Sequence, residues 1–411
     1  MRELGRVVAN EWMKLMRRRR LWIAVLLAGL AVCAWSAHSY KNYLHLVEWD
    51  LPEKLQLRIE QAEQELKTWE KELKNPDSSR EGEDPEEQIA GAKQEIADLK
   101  QRLKEEQRLA SDDWQPVVRD WIAQTERQMK EAAKVGDKAG EAMAQGRLME
   151  LKYHLENGVP PTPRWKKTAY QEMDDLIHLI SRVFLPMLVV ILVADIVSGE
   201  TTAGTIRLLL IRPVSRAKIL CGKWVVSVLA TVLLTFIIFA LMFGVNAALY
   251  GMDGWDQPKI VNVAYTFEKV DSPDSSAEPH TVSIPHYDRA AIVPMFAYIL
   301  SGGLFLALAM IAVATLVFLC SVLFRYSMIS TAVAFAMIIL GEILYQTVNS
   351  GKIFWLYTVH LNLLNNWTGR LAAELQADLS LSTGWIVLGC WTLLAMIPAF
   401  LTFTRRDVLN H

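Results

Sequence analysis

The 411-residue sequence predicts an all-α polytopic membrane protein. Its expected parts are six transmembrane helices, a large extracytoplasmic helical-hairpin insert and a small β-hairpin-like outer loop. Three observations predict this. The chain is 52% apolar yet 21% charged, with a mean hydropathy of +0.17, so charged and apolar residues must be segregated. Residues 38–175 carry 22 of the 43 Lys/Arg and 30 of the 45 Asp/Glu, a net of −8, against +6 for the remainder. Six separate segments are apolar enough to cross a hydrocarbon core about 30 Å thick, which takes about 20 residues of helix. A uniformly soluble globular chain and a disordered one are both excluded. With no domain-sized basic face, nucleic acid is not an expected partner; the lipid bilayer is.

Residues 1–20 read as an amphipathic helix at the membrane surface, with Leu4, Val8, Trp12 and Leu15 on one face. The first span is 21–37 (LWIAVLLAGLAVCAWSA). The basic run at 17–20 resembles a signal-peptide n-region, but twenty preceding residues and a poor cleavage site argue for a retained span. Span two is expected at 176–197, span three at 224–249, span four at 290–323, span five at 328–348 and span six at 384–403, with a tail at 404–411. Span four is too long for a straight crossing; a kink at Pro294 or at Gly302 and Gly303, or an interfacial start, would accommodate it. Lys and Arg concentrate in 1–20, in 198–223, at Arg325 and at Arg405 and Arg406. The positive-inside rule then places both termini in the cytoplasm and 38–175, 250–289 and 349–383 outside.

Within 38–175, Leu55, Ile59, Ala62, Leu66, Trp69 and Leu73 recur at spacings of four and three, as do Ile89, Ala92, Ile96, Leu99 and Leu103. These are seams of an antiparallel coiled-coil hairpin turning at NPDSSREGEDPEE. A second helical pair is expected at 113–134 and 138–157, broken near Gly136 and Gly140, with VPPTPRW returning stiffly to the membrane. The hairpin reads equally as a solvated scaffold and as an arm that contacts a partner or substrate. Residues 260–270 and 280–285 alternate as strands around a turn and form a lid or packing element. Segment 351–380 reads as an interfacial cap, with a re-entrant gate as the alternative. Cys33, Cys221, Cys320 and Cys390 lack metal-site spacing and read as small core residues.

The informative stretch is ADIVSGETTAGTIRLLLIRPVSRAKILCGKW at 194–224. Glu200 stands where span two leaves the membrane, and Gly204, Thr205 and the leucines 208–210 follow. Pro213, Val214, Ser215 and Arg216 come next, and Gly222 and Lys223 open span three. In this order and place the elements resemble the permease subunit of ABC type-2 transporters. Read from the residues alone, Arg207, Arg212, Arg216 and Lys218 suit docking to a partner or to anionic headgroups, or simple topogenic anchoring.

The resemblance implies contact with a cytoplasmic ABC ATPase subunit through Glu200, Gly204, Thr205, Arg207, Pro213, Ser215, Arg216, Lys218 and Lys223. It also implies pairing with a second permease subunit, as a homodimer or heterodimer, in a bacterial plasma membrane. The sequence holds no G-x-x-x-x-G-K-[ST] loop, so ATP and Mg belong to the partner ATPase and this chain binds no cofactor and is not an enzyme. No catalytic or metal-ligand spacing stands out. Efflux of a peptide, drug, lipid-linked compound or ion is the leading function. Mechanotransmission through the coiled coil, and a membrane anchor or channel without an ATPase, are the alternatives. Polar residues at membrane depth mark pathways or helix contacts: His178, Arg182, Asp195, Asn246 and Glu342 are the candidates.

Overall fold

The computed structural model describes residues 2–17, 19–47, 51–74, 85–205, 214–270, 280–348 and 350–405. Helix α1 (Arg2–Met16) packs on the start of span three, and α2 (Arg19–Val47) is span one. Two helical pairs then leave the bundle: α3 (Pro52–Lys74) with α4 (Pro85–Leu109), and α5 (Gln115–Val135) with α6 (Lys138–Asn157). In the first pair Leu55 and Ile59 close on Leu99 and Leu103. Lys100 and Glu63 (2.7 Å) and Arg58 and Glu95 (3.7 Å) flank that seam. Leu73, toward the tip, is exposed, so the seam thins outward. The expected turn at 75–84 lies outside the described residues. Gly136 ends α5 with a left-handed φ of 75°, and the Asp137 side chain accepts the Gly140 N–H at 2.9 Å to start α6.

The stretch expected to be one span at 176–197 is divided. Helix α7 (Ala169–Arg182) begins at a Thr168/Gln171 capping box and buries Met173, Leu176, Ile177 and Ile180 on one face. Its other face carries charge, so it cannot sit in hydrocarbon. The chain breaks at Val183, and span two is Phe184–Thr202, built from α8 (Phe184–Val193), a turn, and α9 (Ser198–Thr202). A break at membrane depth requires partners for the freed backbone groups. Ser321 Oγ accepts the Val197 and Ser198 N–H groups at 3.0 and 3.1 Å, and Ser330 Oγ donates to the Ala194 carbonyl at 2.8 Å.

Span three is α10 (Arg216–Tyr250), which starts before the expected 224. Arg216 and Lys218 are therefore its first turn and not a separate cytosolic one. The outer loop forms two antiparallel ladders: β1 (Pro258–Val261) with β4 (Ala291–Pro294), and β2 (Ala264–Val270) with β3 (His280–His286). Asn262, at φ 58°, separates β1 from β2 within the run expected as one strand. Span four, α11 (Met295–Leu323), runs without a break from just after Pro294. Gly302 and Gly303 provide close approach: a Cβ there would lie 2.7 Å from Leu364 and 2.9 Å from Phe239. Span five is α12 (Ser327–Val348). Short helices α13 (Leu363–Thr368) and α14 (Arg370–Leu375) cover one end, and span six is α15 (Leu381–Arg405).

Among the described residues six helices are long and apolar enough to cross a membrane, and the chain is an all-α polytopic membrane protein. Span four is the core: 78% of its apolar window is buried, against 22% for span five. Cys320 is buried, but Cys33 and Cys390 are exposed on the bundle surface, so they are not the core residues the apolar runs predict. Segment 351–380 buries His360, Asn362, Asn365 and Asn366 and packs against spans four to six.

Candidate functional site

The side of the bundle away from the insert carries an ion quartet, three of whose members are buried while Lys14 reaches in from the surface. Helix α1 presents Glu11 from its packed face and Lys14 one turn on, α9 presents Glu200, and α10 presents Lys223. Lys223 Nζ donates to Glu11 Oε2 at 2.8 Å and lies 2.8 Å from Glu200 Oε2. Lys14 Nζ donates to Glu11 Oε1 at 3.0 Å and to Glu200 Oε1 at 3.2 Å. Two cations alternate with two carboxylates, so the group is neutral as a whole. Lys223 is 2% exposed, Glu11 7% and Glu200 7%. Charges this deep persist only when paired.

Burial works to raise the Glu11 carboxyl, but Lys223 and Lys14 outweigh it and hold it below the ordinary carboxylate value. Burial works to lower the Lys14 ammonium, but Glu11 and Glu200 hold it above the ordinary lysine value. Both shifts keep the charged forms across neutral pH.

The local sequence explains the geometry. Gly222, one residue before Lys223, has no side chain because Val7 of α1 lies there: a Cβ would meet Val7 Cγ1 at 2.6 Å. The glycine lets α1 approach, and the lysine next to it takes the α1 carboxylate. Glu200 is presented by the last turn of span two, which Ser321 and Ser330 hold against spans four and five. Thr202 Oγ1 extends this stitching to the Arg325 carbonyl at 3.1 Å.

Of the residues expected at a docking surface, Lys223 and Glu200 instead face inward. Gly204 takes a left-handed φ of 71°, which ends α9, and Thr205 Oγ1 donates to the Glu200 carbonyl at 3.3 Å. Ser215 precedes α10 without a side-chain cap. Lys218 is exposed and pairs with Glu3 at 2.9 Å. Arg216 opens α10 on the same side. Arg207 and Pro213 lie outside the described residues.

The expected membrane-depth residues fall in four places. His178 and Arg182 sit on α7, before span two begins, and not within it. Arg182 donates to Tyr345 Oη at 2.5 Å and stacks on that ring at 3.9 Å. Asp195 lies in the turn between α8 and α9 and is buried beside Gly199. Asn246 is fully buried in span three and donates to the Met242 carbonyl at 2.8 Å. Glu342 accepts from Gln346 of its own helix at 2.9 Å, and among the described residues it makes no hydrogen bond to another helix. Glu11 and Lys14 are the site residues missed from the sequence. The signal was there: Glu11 falls on the apolar stripe that Leu4, Val8, Trp12 and Leu15 define, where a solvated carboxylate has no reason to be.

At the insert end, Glu172 of α7 is fully buried; it accepts from Ser39 Oγ at 2.9 Å and pairs with Lys167 at 2.5 Å. Tyr250, the last residue of span three, donates to Ser39 Oγ at 3.3 Å, and Tyr43 of α2 donates to the Trp165 carbonyl at 2.9 Å. The return segment of the insert is thereby tied to the ends of spans one and three. Among the described residues no group of His, Cys, Asp and Glu forms a metal site.

A family profile described as "ABC-2 family transporter protein" matches residues 6–267. A second, described as "Protein of unknown function (DUF2705)", matches residues 149–409. The uncharacterized protein YhcI of Bacillus subtilis (strain 168) is 22% identical over 262 residues, covering 63% of this chain and 74% of its own. The first match takes in all four members of the quartet and the whole of the insert, and it covers well over half of the chain. The chain belongs to the ABC-2 family of transporter proteins and is a membrane permease of an ABC transporter.

Proposed function

We propose that this chain is the permease of an ATP-driven exporter in a bacterial plasma membrane. It pairs with a second permease subunit and is driven by a separate cytoplasmic ABC ATPase, with both of its termini in the cytoplasm. The observation that carries the reading is the quartet. It joins the interface helix α1, the exit of span two and the start of span three directly beside 198–223, the segment the family resemblance assigns to the ATPase. A push on that segment moves α9 and α10, and the quartet passes the movement to α1 without stretching a polar group into lipid. The basic residues of α1, Arg216 and Lys218 lie on that same side, which supports a cytoplasmic assignment.

The test is co-purification with a candidate ABC ATPase subunit from the same cell, with turnover measured on the complex. Wild type retains the ATPase. Arg216→Glu lowers its recovery at least about tenfold, the effect of losing a charge contact worth about 1.4 kcal/mol or more. Glu200→Ala keeps the ATPase bound but uncouples its turnover from the permease. A wild-type chain that recovers no ATPase sinks the proposal and favours an anchor or channel.

A second reading has one observation in its favour. The Glu172 cluster fixes the base of the insert to spans one and three, so the same motor would also move the helical arm mechanically. Shortening the α3–α4 pair separates the two: loss of activity with ATPase coupling intact favours mechanotransmission.

A further inference from the structure

A cavity of about 560 Å³ opens between span one, the junction of α7 with α8, and span five. That volume lies within the roughly 300–1,000 Å³ range of small-molecule sites. It is at the insert-side end of the bundle, since Glu342 is near the end of span five and Val183 precedes span two. Val32, Trp35, Leu179, Phe184 and Met187 make its wall apolar. Trp35 and Leu179 are themselves exposed on the single chain, so the cavity opens sideways on the bundle's apolar flank.

Three ionisable side chains reach this wall: His178, Arg182 and Glu342. Two are already engaged. Arg182 has the Tyr345 hydroxyl and ring, with Glu374 at 3.9 Å. His178 Nδ1 meets the Asp174 carbonyl at 2.8 Å and the Asp174 carboxylate at 3.5 Å. Glu342 differs. Its Oε1 accepts from Gln346, and its Oε2 is buried with no hydrogen-bond partner among the described residues. A carboxylate oxygen buried without a donor is costly in a medium that supplies no water. The unmet demand of this cavity is therefore one cation or N–H donor beside an apolar body.

We propose that the cavity binds a cationic amphiphile: an alkyl or aromatic body against the apolar wall and an ammonium on Glu342 Oε2. The faces of Trp35 and Phe184 favour the same charge. An anionic headgroup would meet Glu342 as a like charge, and Arg182 Nη2 is already engaged by Tyr345. The proposal names a substrate class for the exporter and in that respect rests on the transporter reading, although binding is measured without transport.

The experiment uses the full chain with its ATPase in lipid nanodiscs. Dodecylamine, dodecanol and dodecanoate compete with a dansyl-labelled alkylamine, so the chain length is constant and only the headgroup changes. The amine binds about tenfold more tightly than the other two, the effect of one charge-assisted hydrogen bond. Glu342→Gln, nearly isosteric, lowers amine affinity about tenfold and leaves dodecanol unchanged. Leu179→Trp fills the cavity and weakens amine and alcohol together. ATPase co-elution and turnover, read on the same samples, report separately on the transporter reading. Equal binding of the three headgroups, or Glu342→Gln without effect on the amine, overturns the proposal. So does efficient disulfide cross-linking of Glu342→Cys between two copies that the amine does not inhibit, because a second copy then closes this face.

Discussion

On one side of the bundle Lys223 is 2% exposed and lies between Glu11 and Glu200; on the other, Lys167 is 28% exposed and lies between Glu172 and Asp175. Both lysines bridge two carboxylates, and both sites fasten an element outside the bundle to span three or its neighbours. They differ in what surrounds the charge. At the Lys223 site the central lysine and both carboxylates are buried, a second cation, Lys14, reaches in from the surface at 42% exposure, and three separate elements meet. The Lys167 site is half open to solvent, and its buried carboxylate also rests on neutral groups, Ser39 and through it Tyr250. Lys223, Glu11 and Glu200 are shielded from water that could replace a lost partner, whereas Lys167 and Asp175 are not. The permease is thus rigidly joined where the family resemblance puts the motor, and more tolerantly joined where the insert returns.

The largest effect that would break this comparison comes from Lys223→Met. It leaves Glu11 and Glu200 buried with only Lys14 between them. Removing one partner of a buried ionic group costs about 3–5 kcal/mol, so the variant should lower the melting temperature of the detergent-purified chain and release α1. Labelling of a Val7→Cys reporter by a polar maleimide measures that release, and it should rise sharply. Adding Glu11→Gln restores one cation to one carboxylate and should recover most of the stability. If Lys223→Met leaves α1 as protected as in wild type, packing of Val7 on Gly222 holds the helix and the quartet is incidental.

A smaller loss is expected from Glu172→Gln. The amide keeps a partner in Ser39, and Lys167 keeps Asp175 at 3.0 Å. The cost should be about 1–3 kcal/mol, that of a disturbed charged hydrogen bond. Cleavage by protease in the return segment 158–167 should increase, while Val7→Cys labelling should not change. Equal responses from both variants would mean that the two ends are one cooperative unit and that the comparison fails.

Hydropathy shows the six spans because burial in lipid demands long apolar runs whatever the packing. It does not show where span two begins. Leu176, Ile177 and Ile180 raise the average of a window that also contains His178 and Arg182, and only the amphipathic spacing reveals that α7 lies outside. The motif at 198–223 was legible as a pattern, yet its parts do different work. Gly222 and Lys223 face the chain's own α1, and Lys218 meets Glu3. Partners as far as 186 and 212 residues apart leave no periodic trace, so the quartet was invisible except through one misplaced carboxylate, Glu11. The division of the outer loop was hidden for a different reason: one residue, Asn262 in a left-handed conformation, separates two ladders that alternation alone reads as a single strand.

The smallest expected effect is a pH response confined to the insert, which sharpens the contrast with the ion quartet. His154, near the end of α6, is buried, with its Nδ1 2.8 Å from the Val159 carbonyl. Burial pushes its pKa below the ordinary value of 6.5, against the opposing pull of that carbonyl and of Asp256. The unfolded segment therefore takes up a proton more readily than the folded one as pH falls. Its contribution to stability is complete above about pH 6.5 and drains away below it. Protease cleavage between 158 and 167 should be faster at pH 5 than at pH 7.5 in wild type. His154→Gln, which cannot titrate, should flatten that difference. Val7→Cys labelling, normalised at each pH to an unfolded cysteine standard because the thiolate is the reacting form, should stay constant over the same range, since its lysine partners hold Glu11 below the ordinary carboxylate value.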